Sequence, residues 1–327
     1  MSSLAHTSRK SGVRSAALLL LCLCMAALVA CEKGPPPTPT PIPPPKATTF
    51  PLNVAVDALA FDGQLLWGTN AAGNSIVAIR RDGTVAGTYS AGTSPSAIAF
   101  WQGHLWTTNT GDGTVSRFTT AGQLAGTFQV GKAPVAVMGQ GNDLWVANRD
   151  DGTLTHLSPS GDILGIVAAG PRPVALAYGA GYVWIATQGA ETVVRLSLDT
   201  MTTATFAARG SPSPSFPATE NMGPTSLSFD EASLWLGFAK SGAVTRLSIE
   251  GVSQAFLPVG GNVAATTFGA GYVWAAHGPP GRVTRMRQDM RGMSSVNING
   301  SPTAAVFDGS ALWVATSNPT ALVRIDP

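Results

Sequence analysis

Asparagine, joined by a single histidine, recurs in this chain at a spacing fit for chemistry. Three positions after each of seven tryptophans stand Asn70, Asn109, Asn148, Thr187, Phe238, His277 and Thr316. Imidazole titrates near neutrality, so His277 is the candidate general base of the set. The amides supply donors and acceptors together, which suits either a ligand or the backbone of a following turn. No acidic residue falls near His277 in its loop to support it as a base. No Cys/His metal spacing, phosphate-binding loop or local Ser/His/Asp signature occurs, so neither a metal nor a cofactor is expected. Asn70, Asn109, Asn148, Gln188 and His277 are carried forward as candidate ligand-binding residues on one rim.

A second column lies eleven positions after the tryptophans: Ala78, Arg117, His156, Arg195, Arg246, Arg285 and Arg324. Five guanidinium groups suggest an anion site only if they converge. Spread over separate repeats, each is expected to lay its stem between neighbouring sheets and satisfy carbonyls or a carboxylate with its fork.

The elements that must hold these columns follow from the tryptophans themselves. Trp67, Trp106, Trp145, Trp184, Trp235, Trp274 and Trp313 are separated by 39, 39, 39, 51, 39 and 39 residues. A fixed period of this length marks a solenoid or a propeller. Within Pro134 to Gly170, four short apolar runs (Val135–Met138, Leu144–Asn148, Thr153–Leu157 and Asp162–Ala168) are divided by turn formers, which predicts a four-stranded antiparallel sheet. One such sheet cannot bury both faces, and radial repetition of blades resolves that. The last repeat stops after its third strand, while Ala47–Asn53 is a strand-like segment preceding the first repeat. Phe50 stands 17 residues before Trp67, as Tyr89 does before Trp106. The expectation is therefore an all-β, seven-bladed β-propeller over 47–327, closed by the N-terminal strand completing the last blade, with two sheet edges removed.

The amino terminus carries a different signal. Arg9, Lys10 and Arg14 precede an apolar run from Ala16 to Ala30, too short to span a bilayer comfortably and flanked like an export signal. Leu28-Val29-Ala30-Cys31 resembles the lipobox of bacterial lipoproteins, which implies a signal peptide over 1–30 and lipidation of Cys31. Cys22 and Cys24 would leave with the signal, so no disulfide is expected. Residues 31–46, with prolines from Pro35 to Pro45, read as a semi-rigid polyproline spacer. The formal charge of +2 loses three basic residues with the signal, leaving 17 basic against 18 acidic residues. That balance excludes the basic footprint of a nucleic-acid binder.

The pattern Trp-x-x-Asn, Thr-Val-x-Arg and Thr-Phe-x-Val-Gly-x-x-Pro, clearest over Trp106–Pro134, resembles the bacterial seven-bladed propellers with the YVTN repeat. It also resembles the streptogramin (virginiamycin B) lyase group, whose units place an acidic residue three after the tryptophan. This chain has no acidic residue in that column, which weighs against the lyase activity the resemblance implies. The wide gap holds 12 extra residues, and Ala207–Gly223 overhangs the rim assigned to His277, with Phe216 and Met222 as residues able to anchor a partner. The expected function is an exported, membrane-anchored lipoprotein of the cell envelope, in the outer membrane or periplasm of a two-membrane host. It acts as a monomeric binding or scaffold propeller for a protein, peptide or glycan. The alternative is a lyase-like or hydrolytic enzyme with its site at the channel mouth near His277.

Overall fold

A computed structural model describes residues 42–208 and 223–327. Its strands begin with β1 (Lys46–Pro51), followed by the first blade: β2 (Ala58–Phe61), β3 (Leu66–Asn70), β4 (Ser75–Ile79) and β5 (Val85–Ser90). Each strand is short because a Gly- or Asp-rich turn ends it. The second strands are buried along their length, since both faces of a blade meet a neighbour. Six more four-stranded antiparallel sheets follow, making seven. In the third blade the strands are Pro134–Gln140, Asp143–Asn148, Thr153–Leu157 and Ile163–Ala168.

Closure takes the form the unmatched chain ends require. The last blade has three strands of its own, Ser301–Phe307, Leu312–Ser317 and Ala321–Asp326, and β1 is its fourth. β1 runs antiparallel to the last strand from Lys46↔Asp326 to Pro51↔Ala321. The packed domain starts before Ala47: Ile42 is buried, and Pro43 O accepts a hydrogen bond from Arg285 Nη2.

Three kinds of contact tie blades to their neighbours. The seven repeat tryptophans are buried, none more than 1% exposed, and each indole removes about 150–250 Å² of surface from water. An aromatic ring on a fourth strand lies beside the tryptophan of its own blade: Tyr89 by Trp67, Phe128 by Trp106, Phe206 by Trp184 and, from β1, Phe50 by Trp313. Each ring then covers a turn glycine of the following blade. A Cβ on Gly122 would sit 2.2 Å from Tyr89, and one on Gly83 would sit 2.4 Å from Phe50. Both glycines have positive φ, so neither space nor backbone admits a larger residue there. Near the axis, hydroxyls donate across the blade boundary: Ser96 to Pro134 O, Thr225 to Val263 O and Thr303 to Val56 O. The last of these joins blade 7 to blade 1.

Candidate functional site

The column three positions after the tryptophans ends the second strands, but its side chains turn inward rather than onto a rim. Asn109, Asn148 and Thr187 are 0% exposed, and Phe238, Thr316 and His277 are also buried. Only Asn70 is half-buried, and its Oδ1 accepts from Gly73 N in the following turn. Asn109 Nδ2 donates to Ser116 Oγ at 2.8 Å, and Asn148 Nδ2 donates to Thr155 Oγ1 at 2.9 Å, each seven residues on. Asn148 Oδ1 also accepts from Gly131 N, which pins the connection arriving from the preceding blade.

His277 occupies the same niche. Its Nε2 lies 2.8 Å from Thr284 Oγ1, again seven residues on, and Thr284 Oγ1 is 2.8 Å from Ser295 Oγ. Burial lowers its pKa, a hydrogen bond involving the Gly260 backbone raises it, and the Arg282 charge lowers it further. The charged group acting on this imidazole is thus a cation. The histidine that does meet a carboxylate is His156, whose Nε2 is 2.6 Å from Asp143 Oδ1 while the ring stacks on Trp145 at 4.1 Å. Sequence spacing does not reveal that pair, because Asp143 comes from the neighbouring strand.

The arginine column is not a converged anion site. Arg117 lies over Trp106 and Phe128 and donates to Pro159 O of the next blade at 2.8 Å. Arg195 lies over Tyr182, Trp184 and Phe206 and donates to Ile249 O of the next blade. Arg285 lies over Tyr272 and Trp274 and reaches Pro43 O, supplied by the chain just before β1. A cation held over aromatic faces, with its fork on a neighbour's carbonyl, is an interblade clasp.

The rim with the second-to-third-strand turns also carries the connections between blades. Asp112 Oδ2 accepts from Thr93 N at 2.5 Å, and Asp151 Oδ2 accepts from Lys132 N at 2.6 Å. Hydrogen bonds from Thr93 hold the Asp112 pKa below its ordinary value. Gln188 is half-buried on this rim. The insertion leaves and returns beside it: Ala208 N donates to Glu191 O at 2.9 Å, and a Cβ on Gly223 would meet Gln188 Cα at 2.6 Å. Phe216, Met222 and Cys31 lie outside the described residues. Among the described residues, no group of three or more His, Cys, Asp and Glu side chains is placed to hold a metal.

Seven four-stranded sheets joined in one ring settle the comparison with solved structures. The fold is that of the virginiamycin B lyases. Virginiamycin B lyase from Staphylococcus aureus superposes with a TM-score of 0.74 at 17% identity, over 86% of this chain and 99% of that one. A catalytically inactive histidine-to-alanine variant of that enzyme, with quinupristin, gives a TM-score of 0.75 at 17% identity, over 86% and 99%. Hydrazine synthase from Kuenenia stuttgartiensis gives 0.68 at 15% identity, over 85% and 97%. No family model and no curated protein matches the sequence. At these identities the lyase-like propeller is a shared architecture, and architecture alone does not carry activity.

Proposed function

We propose that this chain is an exported lipoprotein, anchored through Cys31, whose lyase-like propeller binds a protein, peptide or glycan of the cell envelope. Binding uses the rim at Gln188 that carries the 207–223 insertion. The observation that carries this reading is the contrast between two places. The tryptophan-plus-three column is largely buried and bonded to the third strand of its own blade, whereas the insertion departs from the repeat with both its ends tied to one rim. Non-repeating loops on a rigid ring are where recognition is usually placed.

Photo-crosslinking in native envelopes tests the rim. A chain lacking residues 211–220 should fold as the parent does and lose its crosslinked partners; unchanged crosslinking would refute the rim. Fatty-acid labelling tests the anchor separately. Cys31→Ala should abolish incorporation, and a variant that still carried label would refute lipidation at that residue.

The lyase neighbours favour one second reading, an enzyme dependent on a histidine. Quinupristin, present with the inactive variant of the Staphylococcus aureus enzyme, is the substrate to try. A binding propeller leaves it intact, and cleavage that stopped with His277→Ala or His156→Ala would replace binding by catalysis.

A further inference from the structure

Three of the five described methionines, Met286, Met290 and Met293, line one cavity of about 300 Å³ together with Leu257, Arg291 and Gly292. The repeat supplies an internal control for each of them. Twelve positions after the tryptophan, the other blades carry Ile79, Phe118, Leu157, Leu196, Leu247 and Ile325, and only blade 6 has a methionine. Sixteen positions after it, four blades carry a turn glycine with positive φ, namely Gly83, Gly122, Gly161 and Gly251. Met290 adopts that left-handed conformation with φ 60°, where a side chain is disfavoured. Nineteen positions after it, Met293 stands 53% exposed where the preceding blades carry Ala86, Ala125, Leu164, Thr203 and Gln254, so it is the only sulfur in that column.

Where Phe50, Tyr89, Phe128 and Phe206 cover the next blade's glycine, blade 5 presents Leu257, which is smaller. Refilling such a gap needs only a hydrocarbon, and leucine would serve. Three thioether side chains instead line the cavity, Met286 buried on its strand, Met290 at the turn and Met293 exposed, and thioethers are soft, uncharged donors. Soft thioether ligands select cuprous copper over the harder divalent ions. Arg291 is in the lining and Arg287 Cδ lies beside Gly292, against one carboxylate, Asp289, in the same turn, so a monovalent ion on uncharged ligands is opposed less than a divalent one.

We propose that this cavity between blades 5 and 6 is a Cu(I) site, with the sulfurs of Met286, Met290 and Met293 as ligands. The site is independent of the insertion-bearing rim and of the anchor. The copper enters and leaves as Cu(I), with no change of oxidation state. The test is anaerobic titration of the full chain with Cu(I) against a cuprous chelator, after alkylation of Cys22, Cys24 and Cys31 so that no thiol competes, with Ag(I) as a redox-inert check. The parent should withhold a single equivalent from the chelator. Met290→Leu/Met293→Leu keeps the apolar volume and should weaken uptake by at least the ~10–100-fold that loss of a supporting contact costs a metal site, with the unfolding midpoint unchanged. Should the double variant fail to fold, the exposed Met293→Leu alone gives the same reading. No uptake by the parent, or equal uptake by a folded variant, overturns the proposal.

Discussion

Asp308 secures its own turn, the indole of Trp313 and a residue of the first blade with a single carboxylate. Its Oδ1 accepts from Ser310 and Ala311, its Oδ2 accepts from Trp313 Nε1 at 2.8 Å, and Arg81 Nε stands 3.1 Å from Oδ2. Burial pushes the carboxyl pKa up, but the hydrogen bonds from Trp313, Ala311 and Ser310 outweigh it and hold the group at about 2. Unfolded, the carboxyl returns to 3.8, so between those values the unfolded chain binds more protons. The contribution, on the order of 2 kcal/mol, is complete above the unfolded value and is lost as pH falls toward the folded one. Asp308→Asn should therefore lower stability at neutral pH and flatten the fall in unfolding midpoint across that acid window, as read by denaturant titration at several pH values. Asp62 and Asp230 hold Trp67 and Trp235 in the same way, whereas Trp106 and Trp145 have buried indole nitrogens without a partner.

The asparagine and histidine column is legible in the sequence as a column but not as a set of roles. Spacing identifies Asn109, Asn148 and His277 as equivalent. It does not show which way a strand end turns its side chains, and that is fixed by the hydroxyls seven residues on, across a hairpin. Only Asn70 bonds the following turn as its residue type suggests.

At the level of the strand, β1 is the element whose loss the ring should feel most. Phe50 meets Trp313 at 5.9 Å, as Tyr89 meets Trp67 at 5.8 Å, and it also covers Gly83 in blade 1. Because Phe50 is half-buried, Phe50→Ala should cost about 2–3 kcal/mol, somewhat below the range for fully buried rings. A denaturation midpoint within error of the parent would show that the closing strand is dispensable. The need for this strand is visible in the sequence, because a three-stranded last repeat and a lone leading segment each expose an edge. The clasp that secures it is not. Arg285 reaches Pro43 only because the chain before β1 stands where blades 3 and 5 place the turns that contain Pro159 and Ile249. A proline-rich composition reads as linker up to Lys46, and tertiary contact overrides that for Ile42 and Pro43.

For the molecule as a whole, the residues that look chemical in the sequence serve the fold, the arginines between blades and the tryptophan-plus-three column mainly within them, and recognition by the departures from the repeat is our proposal. His277→Asn tests this most directly, because asparagine fills the same niche in blades 2 and 3 with the same hydroxyl partner seven residues on. The folded His277 resists protonation, so it withholds stability as pH falls below the ordinary 6.5, and the asparagine variant should lose that part of the pH dependence. The decisive measurement is envelope crosslinking and quinupristin turnover on His277→Asn beside the parent, with unfolding midpoints recorded for both. The account predicts an unchanged midpoint at neutral pH, full crosslinking and no turnover by either protein. A folded His277→Asn chain that lost crosslinking, or that lost a turnover the parent possesses, would contradict it.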